Sequence, residues 1–207
     1  MNFWNQQFSS DVFKYGKQPN RFLREQAFRL HAGSKVLLPG DGEGRNSVWL
    51  AEQGHQVTAM DNSSVGLKKA IGLAAEKNVP IEVVQADLEH WTPIPASVDA
   101  LVLTYVHLPP SLRPLAHRRL VQALCPGGWF ILEAFHPRQL GYQSGGPKDE
   151  TMLYTIDMLR SDLANIPSLR LEEVIAWEGE VLLDEGSGHQ GPAYLTRYVA
   201  QGKSSPL

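Results

Sequence analysis

The stretch Val36-Leu37-Leu38-Pro39-Gly40-Asp41-Gly42-Glu43-Gly44-Arg45 joins a short apolar run to three glycines at alternate positions. A helical pattern follows from Ser47 to Ala51 and stops at Gly54. Strand, glycine turn and helix in this order are typical of the start of a doubly wound nucleotide-binding domain. Glycine suits the turn because it adopts positive φ and lets the backbone approach a ligand. Clustered glycines alone are equally consistent with a simple turn, so a second feature has to decide.

That second feature is Asp61, which closes the next apolar run, Gln56 to Met60, and lies 21 residues after Gly40 (61 − 40). An acidic side chain at this separation accepts hydrogen bonds from ribose hydroxyls, so the ligand is predicted to contain a nucleoside. The dinucleotide fingerprint G-x-G-x-x-G/A requires a small third residue, and Arg45 stands there instead. The spacing found is G-x-G-x-G.

The glycine turn together with Asp61 resembles the cofactor site of the class I S-adenosylmethionine (SAM)-dependent methyltransferases. The order of predicted elements, βαβαβ–βαβ–αββ, extends this resemblance over nearly the whole chain. It implies an α/β fold, with a doubly wound, mostly parallel, seven-stranded Rossmann-like sheet in a single domain. More narrowly, Gly44 to Ser47, Tyr15-Gly16 and Gly188-His189 are similar to the small bacterial methyltransferases grouped with tellurite-resistance enzymes.

The cofactor implied by the resemblance is SAM. The acidic residue after strand 3 accepts from the adenine amino group in this family and corresponds to Asp87; the alternative is a turn residue. Tyr15 either covers the sulfonium through a cation–π contact or only packs a helix onto the sheet. Thr104 either forms a hydrogen bond to the cofactor or the acceptor, or only packs against neighbouring side chains. The full set of predicted cofactor residues is Tyr15, Gly40, Asp41, Gly42, Arg45, Asp61, Asn62, Ser63, Ala86, Asp87, Leu88 and Thr104.

One position departs from the family pattern. The family usually carries Asp or Glu two residues before the first glycine, where it holds the methionine ammonium, and this chain has Leu38 there. We expect Asp41, inside the turn, to supply the missing carboxylate. Arg45 is expected either to pair with the SAM carboxylate or to be exposed to solvent.

For the chemistry, His107 just past strand 4 is the predicted general base, and a structural role is the alternative. The loop His107-Leu108-Pro109-Pro110 departs from the Asn-Pro-Pro-aromatic loop that indicates amino-group methylation, so a small-molecule acceptor is expected: a thiol, a chalcogen oxyanion or similar. The segment His136 to Asp149 is predicted to be a lid on the acceptor side. Two other functions stay open, an NAD(P)-binding oxidoreductase and a non-catalytic SAM-binding protein.

Composition narrows the class of protein. The 207 residues are 43% hydrophobic with a net charge of −3, and the basic cluster of Arg113, His117, Arg118 and Arg119 reads as a solvated helix face. We therefore expect no nucleic-acid partner, and no membrane span because no run of 18 apolar residues exists. The single cysteine and the lack of an evident leader predict a cytoplasmic protein. We expect a monomer or a weak homodimer. The seven histidines show no metal spacing.

The predicted organisation is a single domain with two appended parts. Residues 1–33 form an amino-terminal segment and helix over the cofactor site, 34–201 the methyltransferase domain, and 202–207 a flexible tail. The last two strands are predicted over Leu171 to Leu183 and Tyr194 to Ala200, with a long hairpin loop from Asp184 to Pro192.

Overall fold

Seven strands form one sheet in the computed structural model, which describes residues 2–167 and 169–204. The strands are β1 Lys35–Pro39, β2 Gln56–Asp61, β3 Glu82–Gln85, β4 Val98–Thr104, β5 Leu124–Phe135, β6 Leu169–Glu185 and β7 His189–Ser204. Their order across the sheet is β3-β2-β1-β4-β5-β7-β6. The neighbours from β3 to β5 pair in parallel, and β7 runs antiparallel to both β5 and β6. The predicted doubly wound, mostly parallel sheet is confirmed.

The helices cover both faces of this sheet. They are α1 Phe3–Gln7, α2 Arg21–Gln26, α3 Arg45–Glu52, α4 Ser64–Glu76, α5 Arg113–Val121 and α6 Ile156–Asp162, with short 3₁₀ turns at Ala27–Arg29, Pro137–Gly141 and Glu150–Met152. One core joins Leu101, Leu103 and Phe130 to α5 and α6, and the other joins Val102 and Ile131 to α2 and α3. Alternate residues of β4 and β5 thus enter opposite cores, which explains why these strands read as continuous apolar runs.

Side-chain caps set the starts of two helices. The Ser63 hydroxyl accepts from the Gly66 N–H at the start of α4, and the Thr155 hydroxyl accepts from the Met158 N–H at the start of α6. Each cap pairs a backbone donor that has no partner inside its helix. The Ser63 cap matters for the site because it fixes the turn that leaves Asp61.

The carboxy-terminal hairpin corrects two predictions. The prediction of a long loop from Asp184 to Pro192 is wrong. Strands β6 and β7 stay paired up to Glu185 and His189, so that only residues 186–188 form the turn. Main-chain pairing needs no apolar side chains, so polar residues and glycines here did not indicate a strand. The flexible tail at 202–207 is also wrong in part, because residues 202–204 belong to β7; residues 205–207 lie outside the described residues.

The predicted solvated face of α5 is wrong for two of its basic residues. Arg113 is 8% exposed and His117 is fully buried, and both contact the carboxylate of Asp162 on α6, at 2.7 and 3.0 Å. The basic residues therefore tie α5 to α6 instead of facing water. Within residues 2–167 and 169–204, no helix has the length and apolar character needed to span a membrane. The same part of the chain holds no cluster of three metal-ligating side chains.

Candidate functional site

The chain reverses its direction of travel across the sheet between β1 and β4, which is where open α/β sheets bind ligands at the carboxyl ends of their strands. The glycine turn leaves β1 at this point. All three glycines have positive φ: +70° at Gly40, +65° at Gly42 and +91° at Gly44. A Cβ on Gly40 would lie 2.6 Å from the Val106 side chain, and one on Gly44 would lie 2.5 Å from the Ala70 Cβ. The turn thus requires glycine for packing as well as for conformation.

Asp61 lies at the end of β2 beside this turn and is 7% exposed. Its carboxylate accepts from the Gly42 N–H at 2.9 Å and from the Ser63 N–H at 2.8 Å. Burial raises the pKa of Asp61, and these backbone bonds act against that rise. A carboxylate has about four lone-pair directions, so two remain for ribose hydroxyls.

Asp41 is buried inside the turn. Its carboxylate accepts from both the hydroxyl and the backbone N–H of Ser47, on the first turn of α3. Burial, with added repulsion from Asp61, raises the pKa of Asp41 to about 6, although the bonds from Ser47 act in the opposite direction. The chain therefore holds a poorly solvated carboxylate inside the glycine turn, and its replacement of the missing acid at position 38 stays a prediction.

Arg45 is 6% exposed, so the solvent-exposed alternative is wrong. Its guanidinium donates to the Glu185 carboxylate at 2.8 Å and to the Tyr15 carbonyl at 3.4 Å. In this structure its ionic partner is thus another residue of the chain, and pairing with the SAM carboxylate stays a prediction. Removing one member of a buried ion pair costs about 3 to 5 kcal/mol, so this contact joins α3 firmly to the carboxy-terminal hairpin.

The predicted adenine side lies along the turns after β2 and β3. The Asn62 side chain donates to the Asp87 carboxylate at 3.3 Å, and its Oδ1 is buried with no partner among the described residues. Asp87 is exposed and accepts from the Glu89 N–H at 2.9 Å, so it does serve as a turn residue. Ala86 donates its N–H to the Asp61 carbonyl at 3.1 Å, and Leu88 is half-buried. An unpartnered amide oxygen near the Asp87 carboxylate fits a ligand rich in N–H and O–H donors.

The amino-terminal segment lies over the glycine turn. Asn5 accepts from the Ser63 hydroxyl at 2.7 Å, and Asn2 donates to the Asn62 carbonyl at 3.0 Å. Phe8 is 4% exposed, and a Cβ on Gly42 would lie 3.0 Å from its ring. Tyr15 packs against the His189 ring with the ring centroids 4.3 Å apart. Its contact with the sulfonium stays a prediction.

The structure corrects the role of His107. Its Nδ1 lies 2.7 Å from the Met152 carbonyl, and its Nε2 accepts from the Phe135 N–H at 3.2 Å. Burial lowers its pKa to about 4. Both ring nitrogens are engaged, so no lone pair is left for a proton from an acceptor and the structural alternative holds. Thr104, at the end of β4, accepts from the Asn46 side chain at 2.8 Å.

Sequence reasoning missed a buried polar network next to these residues. Glu133 on β5 is 1% exposed and accepts from Asn20 at 2.7 Å, from the Tyr105 hydroxyl at 2.8 Å and from Arg197 at 2.6 Å. Asn20 also donates to Glu185 at 3.1 Å, which links this network to Arg45. The available signal was an acidic residue inside the apolar run Trp129 to Phe135. A buried carboxylate needs such partners, and they come from distant parts of the chain.

The segment His136 to Asp149 is packed along β7. Gln139 is 1% exposed, donates to the Ser144 hydroxyl at 3.0 Å and accepts from the Tyr194 N–H at 2.8 Å. Ser144 donates in turn to the Pro192 carbonyl at 2.6 Å. Although the sequence shows no periodic pattern here, buried side chains attach the segment to the hairpin that carries His189. Its motion as a lid stays a prediction.

A seven-stranded sheet of this order with an antiparallel β7, a glycine turn at its switch point and an acidic residue closing β2 define a class I methyltransferase fold. Residues 36–128 match a family model described as a methyltransferase domain. The matched residues are less than half of the chain, so the fold and this match show similarity to the class I SAM-dependent methyltransferases, whose methyl donor is SAM. The match to a methyltransferase domain favours this class over the NAD(P)-binding oxidoreductase.

Known proteins similar to this chain agree with the class. A 2-heptyl-1-hydroxyquinolin-4(1H)-one methyltransferase from Mycobacteroides abscessus is 30% identical over 117 residues, which are 54% of this chain and 51% of that protein. The chain thus matches about half the length of this curated relative. TehB from Haemophilus influenzae superposes with a TM-score of 0.70 at 17% identity, covering 96% of this chain and 65% of that one. A SAM-dependent methyltransferase from Methanosarcina mazei gives 0.69 at 18% identity, covering 91% and 100%.

Proposed function

We propose that the chain transfers the methyl group of SAM to a small-molecule acceptor that presents a thiol, a hydroxyl or a chalcogen oxyanion. The observation that carries this proposal is the buried carboxylate of Asp61, which lies against the glycine turn with two lone-pair directions unused. The relative from M. abscessus, named for its action on a hydroxyquinolone, supports a small-molecule acceptor. The net charge of −3 also favours small molecules over nucleic acid.

The residues proposed to hold the cofactor divide by the part of it that they would contact. Asp61 would accept from the ribose hydroxyls, and Asp87, with the neighbouring Asn62 and Ser63, would bind the adenine end. Asp41 would face the methionine ammonium. The remaining proposed contacts are Gly40, Gly42, Arg45, Tyr15, Ala86, Leu88 and Thr104.

When bound, SAM supplies an already activated methyl group, so the protein mainly has to align the acceptor and exclude water. Phe8 and Tyr15 cover the glycine turn and the hairpin, which favours a dry site. A thiolate or an oxyanion needs no base, whereas a neutral hydroxyl requires one. His107 does not supply it.

The experiment is to incubate the full chain with methyl-labelled SAM and a panel of acceptors: thiols, tellurite and selenite, phenols and 2-heptyl-1-hydroxyquinolin-4(1H)-one. We expect label to pass to at least one acceptor, with release of S-adenosylhomocysteine (SAH). Asp61→Asn should lower the rate of transfer about 10- to 100-fold at SAM concentrations below the KM of the unmodified chain. SAM binding by calorimetry without transfer to any acceptor would favour the non-catalytic alternative, and absence of SAM binding would refute the proposal.

A further inference from the structure

His189 is the first residue of β7 and is 3% exposed, enclosed by aromatic side chains. Its ring centroid lies 4.3 Å from that of Tyr15, 4.2 Å from that of Tyr105 and 5.2 Å from that of Phe135. Tyr105 directly follows β4, so His189 lies next to the carboxyl end of the strand that flanks the switch point. The ring is thus fixed in place close to the site where methyl transfer is proposed.

The two nitrogens of this imidazole have different surroundings. Nδ1 is sealed from solvent without a hydrogen bond, and it lies 3.8 Å from Oε2 of Glu185. Such contacts are often long in the absence of substrate. Nε2 has no hydrogen-bond partner among residues 2–167 and 169–204. On that edge of the ring a Cβ at position 145 would lie 2.8 Å from Cδ2 and 3.4 Å from Nε2, so the glycine there keeps a side chain out of contact with these two atoms.

Glu185 is held as a carboxylate by fixed donors. It accepts from Arg45 at 2.8 Å, from the Asn20 side chain at 3.1 Å and from the Arg21 N–H at 3.1 Å. Burial alone would raise the pKa of Glu185, but the contacts with His189 and Arg45 outweigh it and lower the pKa to about 2. A permanent anion facing Nδ1 favours a proton on that nitrogen and leaves the lone pair on Nε2.

We propose that His189 is the general base for the acceptor, and that Glu185 is the positioning residue that keeps its proton on Nδ1. This inference rests on the proposed function. The acceptor's O–H or S–H bond breaks as its proton passes to Nε2, and the electron pair left on the acceptor forms the new bond to the methyl carbon. The electron pair of the broken S–CH₃ bond stays on sulfur, which leaves neutral SAH and a protonated His189 that returns its proton to solvent.

The charge around the ring suits this role. The titratable and charged groups that face His189 are Glu185 from β6, Arg45 from α3, Lys14 and Tyr15 from the amino-terminal segment, and Tyr105 and His107 after β4. Burial lowers the pKa of His189, with Arg45 and Lys14 adding to the effect, while Glu185 acts in the opposite direction. The imidazole is therefore neutral at pH 7 and able to accept a proton.

The first test needs no turnover. ¹⁵N–¹H spectra of histidine-labelled full chain, recorded with SAH at pH 7, report the tautomer of each imidazole, and His189→Gln identifies the signal. We expect a neutral ring protonated on Nδ1, and a mixture of tautomers in Glu185→Gln. A ring protonated on Nε2, or an imidazolium at pH 7, would overturn the proposal even if no acceptor were known.

The second test compares acceptors at pH 8 by the rate of SAH release. For the neutral hydroxyl of a phenol that the unmodified chain methylates, His189→Gln should lower kcat/KM by about 10²- to 10⁴-fold. For 4-nitrothiophenol, which is already an anion, the loss should be less than about fivefold, because no proton has to be removed. Equal losses for both acceptors would show that His189 only shapes the site. His55→Gln, in the turn between α3 and β2 at the opposite edge of the sheet, is the matched control and should leave both rates unchanged.

Failure of this proposal differs from failure of the proposed function. If SAM does not bind to the unmodified chain by calorimetry, the proposed function is refuted, and the role of His189 in methyl transfer is refuted with it. If SAM binds equally to the unmodified chain and to His189→Gln, a selective loss with the phenol supports His189 as the base.

Discussion

Asp41 offers a test of how the chain compensates for Leu38. Its carboxylate is 9% exposed, and its pKa is raised from 3.8 to about 6, first by burial and then by repulsion from Asp61. A rise from 3.8 to about 6 corresponds to about 3 kcal/mol. Because the folded state binds this proton more tightly than the unfolded state, the stabilisation is complete below pH 3.8 and is lost as the pH rises through 6.

The perturbation is Asp41→Asn, which keeps the shape and an acceptor for Ser47 but carries no charge. Without SAM, the variant should gain stability relative to the unmodified chain as the pH rises, and the difference should change by about 3 kcal/mol between pH 4 and pH 8. Urea unfolding at several pH values measures it. The exposed Asp87→Asn is the matched control and should show no such trend. A stability difference that does not depend on pH would refute the assigned burial cost.

The same carboxylate should become favourable when a cation faces it. If Asp41 binds the methionine ammonium, SAM binding at pH 6 should release about half a proton, since about half of the carboxyl groups are protonated at a pH equal to the pKa. Calorimetry in two buffers of different ionisation enthalpy measures this release. Asp41→Asn should release none and should bind SAM about 10- to 100-fold more weakly. Unchanged affinity and unchanged proton release in the variant would show that another group holds the ammonium.

Three further predictions concern packing, the cofactor and pH. Gly44→Ala should destabilise the chain by roughly 2 to 5 kcal/mol in urea unfolding, because φ is +91° and the new Cβ would meet Ala70, whereas Gly72→Ala in open space on α4 should stabilise it by about 0.5 to 1 kcal/mol. Asp61→Asn should weaken SAM binding about 10- to 100-fold by calorimetry, and unchanged affinity would contradict its role. Burial lowers the pKa of His107 to about 4, so on acidification the imidazole takes up its proton in the unfolded state first. About 3 kcal/mol of stability should therefore be lost between pH 6.5 and pH 4. This part of the acid dependence should be absent in His107→Gln.

Local sequence patterns predict the sheet and the glycine turn with Asp61 beside it. The apolar runs, the glycine turn and the position of Asp61 are local patterns, and each has one favourable geometry in a doubly wound fold. The caps at Ser63 and Thr155 were readable for the same reason, since a cap is bonded to N–H groups only three residues away.

Which polar side chains have hydrogen-bond or ionic partners becomes visible only in the folded chain. His107 and His189 are both isolated histidines in the sequence, but Met152 and Phe135 contact both ring nitrogens of the first, whereas Nδ1 of the second is buried without a hydrogen bond. Arg45 meets Glu185 across 140 residues of chain. Burial and long-range pairing set the charge state of each group. No local pattern encodes them, because the partners come together only when the chain folds.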